Sequence, residues 1–275
     1  MTLVSPGTIL EQQPFVVAAN AILLEQAEAL IAAGEKAGTG IVLQLSENTI
    51  SYHGSIEPIG LAFLALARQS RTPVAVHLDH ASSPKLVLKA IDMGFPSVMF
   101  DGSQLPFDEN LSTTIDLAQK SRTQGVWFEA ELGEVGGKDG VHAPGVRTDP
   151  SQASDFVKQT KVDALAVAVG SSHAMTEKNA HLDLNLISAL VAAVPVPLVL
   201  HGSSGVELAE LREAIAAGIR KVNVATEFNI VFNNAVSEYF KGAASLSDPR
   251  KYLRPAKQAT EAAMVEYLGA LNSAG

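Results

Sequence analysis

Residues 74–101 read VAVHLDHASSPKLVLKAIDMGFPSVMFD, and this stretch decides the fold class. An apolar run over Val74–Leu78 comes first, a segment with apolar residues three and four positions apart follows over Pro84–Met93, and a second apolar run covers Ser97–Phe100. A strand, a helix and a strand in this order form a crossover unit whose two strands are parallel. The stretch therefore predicts a βαβ unit.

The same alternation runs along most of the chain. Eight short apolar runs are predicted strands: Phe15–Ala19, Ile41–Leu45, Val74–Leu78, Ser97–Phe100, Val126–Glu129, Ala164–Val169, Leu198–Leu200 and Lys221–Val224. The segments of helical period between them are Ala21–Ala37, Pro58–Gln69, Pro84–Met93, Glu109–Thr123, Pro150–Thr160, Asp183–Ala193 and Glu207–Ala217. Eight such units in 275 residues are typical of an α/β fold of the (β/α)₈ TIM barrel type. A doubly wound open sheet with fewer true strands is the alternative.

The C-terminal part, Asn229 to Gly275, is predicted to hold the eighth helix and an appended C-terminal helix. The turn-like Ser247-Asp248-Pro249-Arg250 separates these two helices. No linker, low-complexity tract or internal repeat divides the sequence. Residues 1–275 are therefore predicted to form a single barrel domain.

Composition excludes several classes of function. A net charge of −9 argues against a nucleic-acid-binding face, which needs clustered Lys and Arg. With no cysteine, any metal must be held by histidine and carboxylate. Residues 1–10 lack the features of a secretory signal, and the most apolar stretch, Leu186–Leu200, is too short and too broken by prolines to span a bilayer. A cytoplasmic protein without membrane contact is expected.

Polar residues follow every predicted strand. In a barrel of this type the active site is built at the C-terminal ends of the strands, so these residues are the candidates for a site. In strand order they are Asn20, Ser46, Asp79-His80, Asp101, Glu131, Gly170-Ser171-Ser172-His173, His201-Gly202-Ser203-Ser204-Gly205, and Asn223 to Thr226. A barrel without a ligand is not expected to repeat this pattern eight times.

Three of these residues, His80, His173 and His201, suit a metal site. A catalytic zinc ion typically has three protein ligands and an open position, and neutral imidazole is a good donor for it. One histidine at a strand end is more often a hydrogen-bonded structural residue, but three on one rim favour a metal centre. The histidines in loop-like contexts are expected to be solvated: His53, His142 and His181.

The acidic residues beside these histidines leave several roles open. Asp79 is available either for proton transfer near a polarised oxygen or for orienting a histidine. Asp101 and Glu131 are either spare ligands or hydrogen-bond partners. His77 lies two positions before Asp79 on the same strand, so it is predicted to point inward beneath the site in a supporting role.

The segments after the seventh and eighth strands suit an anion. Gly202-Ser203-Ser204-Gly205 and Asn223-Val224-Ala225-Thr226 occupy the positions where barrels commonly hold phosphate. Glycines let backbone N–H groups approach an anion, and hydroxyls add donors. A metal beside a phosphate site favours aldolase-type or isomerase-type chemistry next to the carbonyl of a sugar phosphate.

Five motifs, taken in order, resemble the zinc-dependent class II ketose-bisphosphate aldolases of the fructose- and tagatose-bisphosphate type. The motifs are His77-Leu78-Asp79-His80, Glu129-Ala130-Glu131-Leu132-Gly133, Ala168-Val169-Gly170-Ser171-Ser172-His173, Leu200-His201-Gly202-Ser203-Ser204-Gly205 and Lys221-Val222-Asn223-Val224-Ala225-Thr226-Glu227. The resemblance implies a lyase of carbohydrate metabolism, such as glycolysis. Its reaction would be the reversible cleavage of a ketose 1,6-bisphosphate to dihydroxyacetone phosphate and an aldehyde such as glyceraldehyde 3-phosphate.

The resemblance also assigns roles at the metal. His80, His173 and His201 would hold one catalytic zinc ion per subunit, or another divalent metal in its place, with Glu131 near an alternative metal position. Asp79 would be the acid that protonates the nascent hydroxyl or aldehyde oxygen. A monovalent cation and a homodimer or homotetramer are further implications.

The remaining assignments concern the substrate. By resemblance, the residues that would bind dihydroxyacetone phosphate are Gly170, Gly202, Ser203, Ser204, Asn223 and Thr226, helped by Asn20 and Ser46. Arg250 matches an arginine that in some members reaches a neighbouring subunit and binds the second phosphate. Its planar donor fork suits that ligand.

The chain departs from the family pattern in four places. The loop Gly136–Gly140 is shortened and lacks the usual catalytic Glu, and Asp139 and Glu134 are the nearest substitutes. Ala174 replaces a glycine that faces phosphate, and Ala19 replaces a Phe. The sequence motif that begins at Asn223 resembles the tagatose-bisphosphate and Gram-positive fructose-bisphosphate branches more closely than the other fructose-bisphosphate branch.

These departures leave three alternatives open. One is an aldolase that forms the same dihydroxyacetone phosphate but uses a different aldehyde, because the changes fall on the loop over the site and on the part of the site that would bind the aldehyde. Another is a metal-dependent hydrolase, although its usual His-x-His is absent from Phe15 to Ala21. The third is a sugar-phosphate-binding pseudoenzyme that has lost its base.

Overall fold

The computed structural model describes residues 2–132, 147–173, 175–242 and 247–272. Within them, eight parallel strands form a closed barrel in sequence order, with β8 paired to β1. The strands are β1 (Val16–Asn20), β2 (Ile41–Ser46), β3 (Val74–Ala81), β4 (Ser97–Phe100), β5 (Trp127–Leu132), β6 (Ala164–Val167), β7 (Leu198–Leu200) and β8 (Ile219–Val224). The predicted (β/α)₈ barrel is confirmed, and the open-sheet alternative is wrong.

Helices follow the strands and surround the barrel. They are α1 (Pro6–Leu10), α2 (Leu24–Ala37), α3 (Glu47–His53), α4 (Ile56–Gln69), α5 (Pro84–Asp92), α6 (Phe107–Thr123), α7 (Pro150–Thr160), α8 (Leu184–Ala193), α9 (Leu208–Ala217), α10 (Thr226–Lys241) and α11 (Arg250–Asn272). The last of these is the predicted appended helix. Across the described ranges, no helix is both long enough and apolar enough to cross a membrane.

Two short helices were not predicted, and helices α2, α4 and α6 begin two or three residues away from the predicted starts. The segments α1 and α3 were not predicted, because each is too short to show a helical period; serine side chains cap both at their N-termini. Helix α4 begins at Ile56 and not at Pro58, because the Ser55 hydroxyl accepts a hydrogen bond from the Glu57 N–H. Pro58 is tolerated in the first turn, where no N–H donor is required.

Strands β3 and β5 each end three residues later than predicted, which changes the setting of three candidate residues. Strand β3 runs to Ala81, so Asp79 and His80 lie within it and do not follow it. The register with β4 shifts between Leu78 and Ala81, and His80 adopts a positive φ of 48°. Glu131 likewise lies within β5.

Several residues singled out from the sequence lie outside the described ranges: Gly133, Glu134, Gly136–Gly140 with Asp139, His142 and Ala174. Their predicted roles stay predictions.

The apolar core has an outer and an inner part. The outer part lies between the strands and the surrounding helices. Inside the barrel, at the N-terminal ends of the strands, Val16, Val42 and Ala75 pack against Ile9 and Leu10 of α1, which covers that end. The opposite end is therefore the one that is open to a ligand.

The appended helix α11 packs against α10 and α2. Tyr267 is buried on α11, and its ring meets Phe228 of α10 edge to face. The Tyr267 hydroxyl lies 3.5 Å from Ser203 Oγ. The helix thus supports the loop that follows β7.

A polar layer fills the barrel between the apolar end and the open end. Gln44, His77, Glu129 and Lys221 point inward and are fully buried. His77 Nδ1 lies 2.6 Å from Ser97 Oγ. Burial lowers the pKa of His77 to about 3, and the positive charge of Lys221 acts in the same direction. His77 is therefore a neutral imidazole, inward-facing as the alternation predicted.

We expect a His77→Asn variant to lose less stability than the wild-type protein on acidification. Below the ordinary histidine pKa, unfolded wild-type chains bind a proton that the folded protein excludes until about pH 3. Wild-type unfolding free energy should therefore fall by up to about 1.4 kcal/mol more per pH unit than that of the variant. Urea unfolding from about pH 7 to about pH 4 measures this difference. A gap between the two proteins that is constant with pH would contradict a neutral His77.

Candidate active site

A pocket of about 690 Å³ opens at the C-terminal ends of the strands. Its lining includes most of the residues proposed from the sequence: Asn20, Ser46, Asp79, His80, Asp101, Ser172, His173, Gly202, Ser204, Asn223 and Thr226. A second part of the wall comes from segments after β2, β3 and β4: Glu47, Asn48, Ser51, Ser82, Gln104 and Leu105. Barrel closure thus brings side chains from distant parts of the chain around one space.

Three histidines meet at this pocket: His80 and His173 line it, and the fully buried His201 contacts His80. His80 Nε2 lies 2.7 Å from His201 Nδ1. One ring nitrogen from each of His80, His173 and His201 lies within 4.8 Å of the others. The structure therefore brings together the three residues proposed as metal ligands.

Carboxylates set the orientation of two of the rings. His80 Nδ1 donates to Asp101 Oδ2 at 2.7 Å, and Asp101 also accepts from the Ser103 hydroxyl. His201 Nε2 donates to Glu129 Oε1 at 2.9 Å. Because each ring places its N–H on a carboxylate, the lone pairs of His80 Nε2 and His201 Nδ1 point at each other. Asp101 is therefore a hydrogen-bond partner of a candidate ligand.

The two facing lone pairs indicate whether these residues suit a metal ion. At 2.7 Å two unprotonated nitrogens repel, unless a cation or a proton lies close to both. Burial lowers the pKa of His201 well below its usual value, which disfavours an extra proton on that ring. The donor set therefore fits a divalent cation that prefers imidazole.

Glu131 lies where a metal ion could take a second position. Its Oε2 lies 3.5 Å from His80 Nδ1 and 3.9 Å from His201 Nδ1, and the side chain is fully buried. Ligand atoms of His80, Asp101 and Glu131 also lie within 4.8 Å of one another. This placement suits the alternative metal position that the resemblance implied.

Three amides hold the Asp79 carboxylate. Asn20 Nδ2 and Gln44 Nε2 each donate to it at 2.8 Å, and Asn223 Nδ2 lies 3.4 Å away. Burial alone would raise the pKa of Asp79, but favourable electrostatic interactions with the His80 and His201 rings and with the Lys221 ammonium outweigh that effect and place the pKa well below its usual range. Hydrogen bonds to the charged form act in the same direction. Asp79 is therefore a carboxylate within the pocket.

The candidate phosphate site combines a turn and a helix start. Gly202 has a φ of 69°, and a Cβ there would lie 2.5 Å from the carbonyl oxygen of Ser172. Ser204 Oγ accepts from the Glu227 N–H, so its own proton can be donated to a ligand. Ser203 Oγ instead donates to the carbonyl oxygen of Asn223 at 2.6 Å. The Ser203 proton is thus used within the fold, and a role of Ser203 in binding dihydroxyacetone phosphate stays a prediction.

Gly170 and Arg250 are not among the described residues that line the pocket. Gly170 has a φ of 124°, and a Cβ there would overlap the carbonyl oxygen of His181, so packing already requires glycine. Arg250 begins α11, is exposed, and forms a two-pronged ion pair with Asp248. The structure does not bring Arg250 to the pocket of its own chain, and its proposed reach to a neighbouring subunit stays a prediction.

Sequence reasoning missed three residues that support the site. Glu129, Lys221 and Gln44 each lie two positions before a residue that was proposed. Because side chains alternate along a strand, a polar residue at that spacing shares the inward face. Strand alternation was the signal that would have found them.

The chain is similar to known aldolases over most of its length. The family described as "Fructose-bisphosphate aldolase class-II" matches residues 9–275. The "Probable fructose-bisphosphate aldolase" of Bacillus subtilis (strain 168) is 37% identical over 88% of this chain and 86% of its own. The "6-phospho-5-dehydro-2-deoxy-D-gluconate aldolase" of Bacillus velezensis is 34% identical over 92% of this chain and 88% of its own.

A solved structure agrees with these matches. The YdjI aldolase of Escherichia coli K12 superposes with a TM-score of 0.84 and 28% identity, covering 98% of this chain and 96% of that one. Fructose-bisphosphate aldolases are lyases, which confirms the predicted enzyme class. The barrel, the histidine-lined pocket at its open end and the match over residues 9–275 agree, and the chain belongs to the class II fructose-bisphosphate aldolase family.

Proposed function

We propose that this protein is a zinc-dependent aldolase that reversibly cleaves a ketose 1,6-bisphosphate of the fructose or tagatose type. The products would be dihydroxyacetone phosphate and an aldehyde such as glyceraldehyde 3-phosphate. The observation that carries the proposal is the 2.7 Å approach of His80 Nε2 and His201 Nδ1, each with its N–H committed to a carboxylate. A homodimer or homotetramer, a monovalent cation and a cytoplasmic location stay predictions.

His80, His173 and His201 would hold one zinc ion per subunit, and other divalent metals with similar ligand preferences could replace it. When bound, the ion supplies a Lewis acid that polarises the ketose carbonyl. The ring orientations set by Asp101 and Glu129 leave the ligand nitrogens ready for it.

Asp79 would move the proton at the cleaved bond. During cleavage the C3–C4 bond breaks as the C4 hydroxyl loses its proton, and an ionised carboxylate can accept that proton. The amides of Asn20, Gln44 and Asn223 hold Asp79 in this form. In the condensation direction, the same carboxyl group returns the proton to the aldehyde oxygen, which is the acid role that the resemblance implied.

The phosphate of dihydroxyacetone phosphate would lie at the turn Ser203–Gly205 and the start of α10. Helix α10 has 16 residues and begins at Thr226, beside the pocket. The Glu227 N–H already donates to Ser204 Oγ, but the other N–H groups of the first turn and the helix dipole favour an anion, and the Ser204 hydroxyl adds a donor. Glu134 and Asp139 stay the candidates for the base that removes a proton from dihydroxyacetone phosphate.

A second candidate function uses the same product, dihydroxyacetone phosphate, but a different aldehyde. Among the described residues that line the pocket, the wall after β2 to β4 carries Glu47, Asn48 and Gln104 and has no Lys or Arg. This wall favours hydroxyl groups over a second phosphate. The relative named "6-phospho-5-dehydro-2-deoxy-D-gluconate aldolase" carries a different substrate in its name, which supports variation on this side.

Deuterium exchange tests the proposed function without a choice of aldehyde. We expect zinc-loaded protein in heavy water to exchange a proton of dihydroxyacetone phosphate at its hydroxymethyl carbon, and a chelator to abolish the exchange, as followed by NMR. Condensation with glyceraldehyde 3-phosphate and with unphosphorylated aldehydes then separates the two candidates. No exchange by fully loaded protein would favour the pseudoenzyme or the hydrolase.

Replacement of either proposed ligand should remove the metal. We expect His80→Ala and His201→Ala to lose both zinc retention and turnover, because two imidazoles remain in place of three. Elemental analysis after dialysis measures the metal. His181→Ala is the matched control, since this side chain is exposed. A metal-free His80→Ala protein that still cleaved substrate would sink the assignment.

Loss of Asp79 should separate two half-reactions. We expect Asp79→Ala to bind zinc normally and still to exchange a hydroxymethyl proton of dihydroxyacetone phosphate with solvent. The reason is that Asp79 is proposed to transfer the proton of the C4 hydroxyl, which takes no part in this exchange. Ketose bisphosphate cleavage should slow by roughly 100- to 10,000-fold, the usual loss of a general acid–base group. Steady-state cleavage and the exchange assay measure both steps. Near-normal cleavage would remove the proposed role.

A further inference from the structure

A buried ion pair lies directly beneath the candidate metal site, and the proposed reaction does not use it. Lys221 Nζ lies 2.9 Å from Glu129 Oε2, and both side chains are fully buried. Lys221 comes from β8 and Glu129 from β5, strands that are not neighbours in the barrel. The pair therefore spans the interior of the barrel.

Stability alone does not explain such a pair. Removing two charges from water costs several kcal/mol per ion, and apolar residues of similar volume often stabilise a protein interior as well or better. Trp127, Met99 and Val199 already form an apolar cluster in the same barrel. The charges therefore call for another reason.

The Glu129 carboxylate divides its two oxygens between two donors. Oε2 accepts from Lys221, and Oε1 accepts from His201 Nε2 at 2.9 Å. The nearby His77 Nε2 is 3.8 Å from Oε2, beyond hydrogen-bond distance, and that ring is neutral. Lys221 is thus positioned to hold Glu129 so that Oε1 faces His201.

We propose that Lys221 and Glu129 are positioning residues for the metal site. Together they keep the proton of His201 on Nε2, which leaves the Nδ1 lone pair directed at His80 Nε2 and at a bound metal. Asp101 has the same effect on His80, with the Ser103 hydroxyl in place of a lysine. This inference rests on the proposed metal site.

The first test uses the unaltered, zinc-loaded protein. ¹⁵N NMR of histidine side chains should show His201 protonated at Nε2 and bound to zinc through Nδ1, with the signal assigned by its loss in His201→Gln. A proton on Nδ1, or zinc bound through Nε2, would overturn the proposal.

The second test compares two double variants that leave no unpaired buried charge. Glu129→Met with Lys221→Met removes the acceptor for His201, and we expect zinc affinity to fall by about 10- to 100-fold, as for other residues that orient a ligand. Glu129→Gln with Lys221→Met restores a neutral acceptor of similar size, so affinity should recover in part. Competition with a chromophoric chelator measures zinc affinity, and thermal unfolding of the metal-free proteins confirms that both variants fold.

Ser97→Ala is the control, because it removes a buried hydrogen bond to His77 that involves neither Glu129, Lys221 nor His201. Its zinc affinity should match that of the wild-type protein. A folded Met/Met variant with wild-type zinc affinity would overturn this inference and leave the proposed function intact. Failure of the wild-type protein to bind zinc would overturn both. If the Met/Met variant does not fold, the NMR result decides.

Discussion

Closure of the parallel sheet is the constraint on which the rest of the molecule depends. A closed barrel has no free edge, and every second side chain of each strand points into one narrow interior. Water is excluded there, so each inward polar group needs a partner from another strand. The fold therefore forces distant polar residues into contact, and the site is the open end of that arrangement.

This constraint produces two levels of polar residues. At the open end, Asp79 lines the pocket and the buried His201 contacts His80, and one level deeper lie Glu129 and Lys221. The deeper level does not face the pocket, yet its hydrogen bond to His201 Nε2 determines which nitrogen of that ring is available. Burial thus links the orientation of the His201 ring to Lys221 through the Glu129 carboxylate.

The two halves of the pocket are built by different means. On the side of the turn after β7, backbone packing dominates: Gly202 lies against Ser172, a contact that a Cβ would prevent. On the opposite side, the wall consists of side chains such as Asn48 and Gln104. Side chains change more easily than backbone paths. This difference agrees with relatives whose names carry different substrates on one barrel.

Strand and helix periodicity sufficed to predict the barrel, its open end and the candidate residues. Periods of two and of about 3.6 residues are local properties, and polar residues at the ends of apolar runs are visible without coordinates. The longer course of β3 and β5 was not visible, since polar residues such as Asp79 and Glu131 interrupt the apolar runs.

Only the tertiary structure decided which side chains of the site form hydrogen bonds with each other. Sequence alone established that three histidines, Asp79 and a Gly-Ser turn lie at one rim of a barrel. It left open that Asp101 holds His80, that Gln44 holds Asp79, and that Ser203 turns its hydroxyl toward Asn223. These contacts join residues 20 to 35 positions apart. No local pattern encodes them, because they exist only once strand register and barrel closure have set which inward side chains meet.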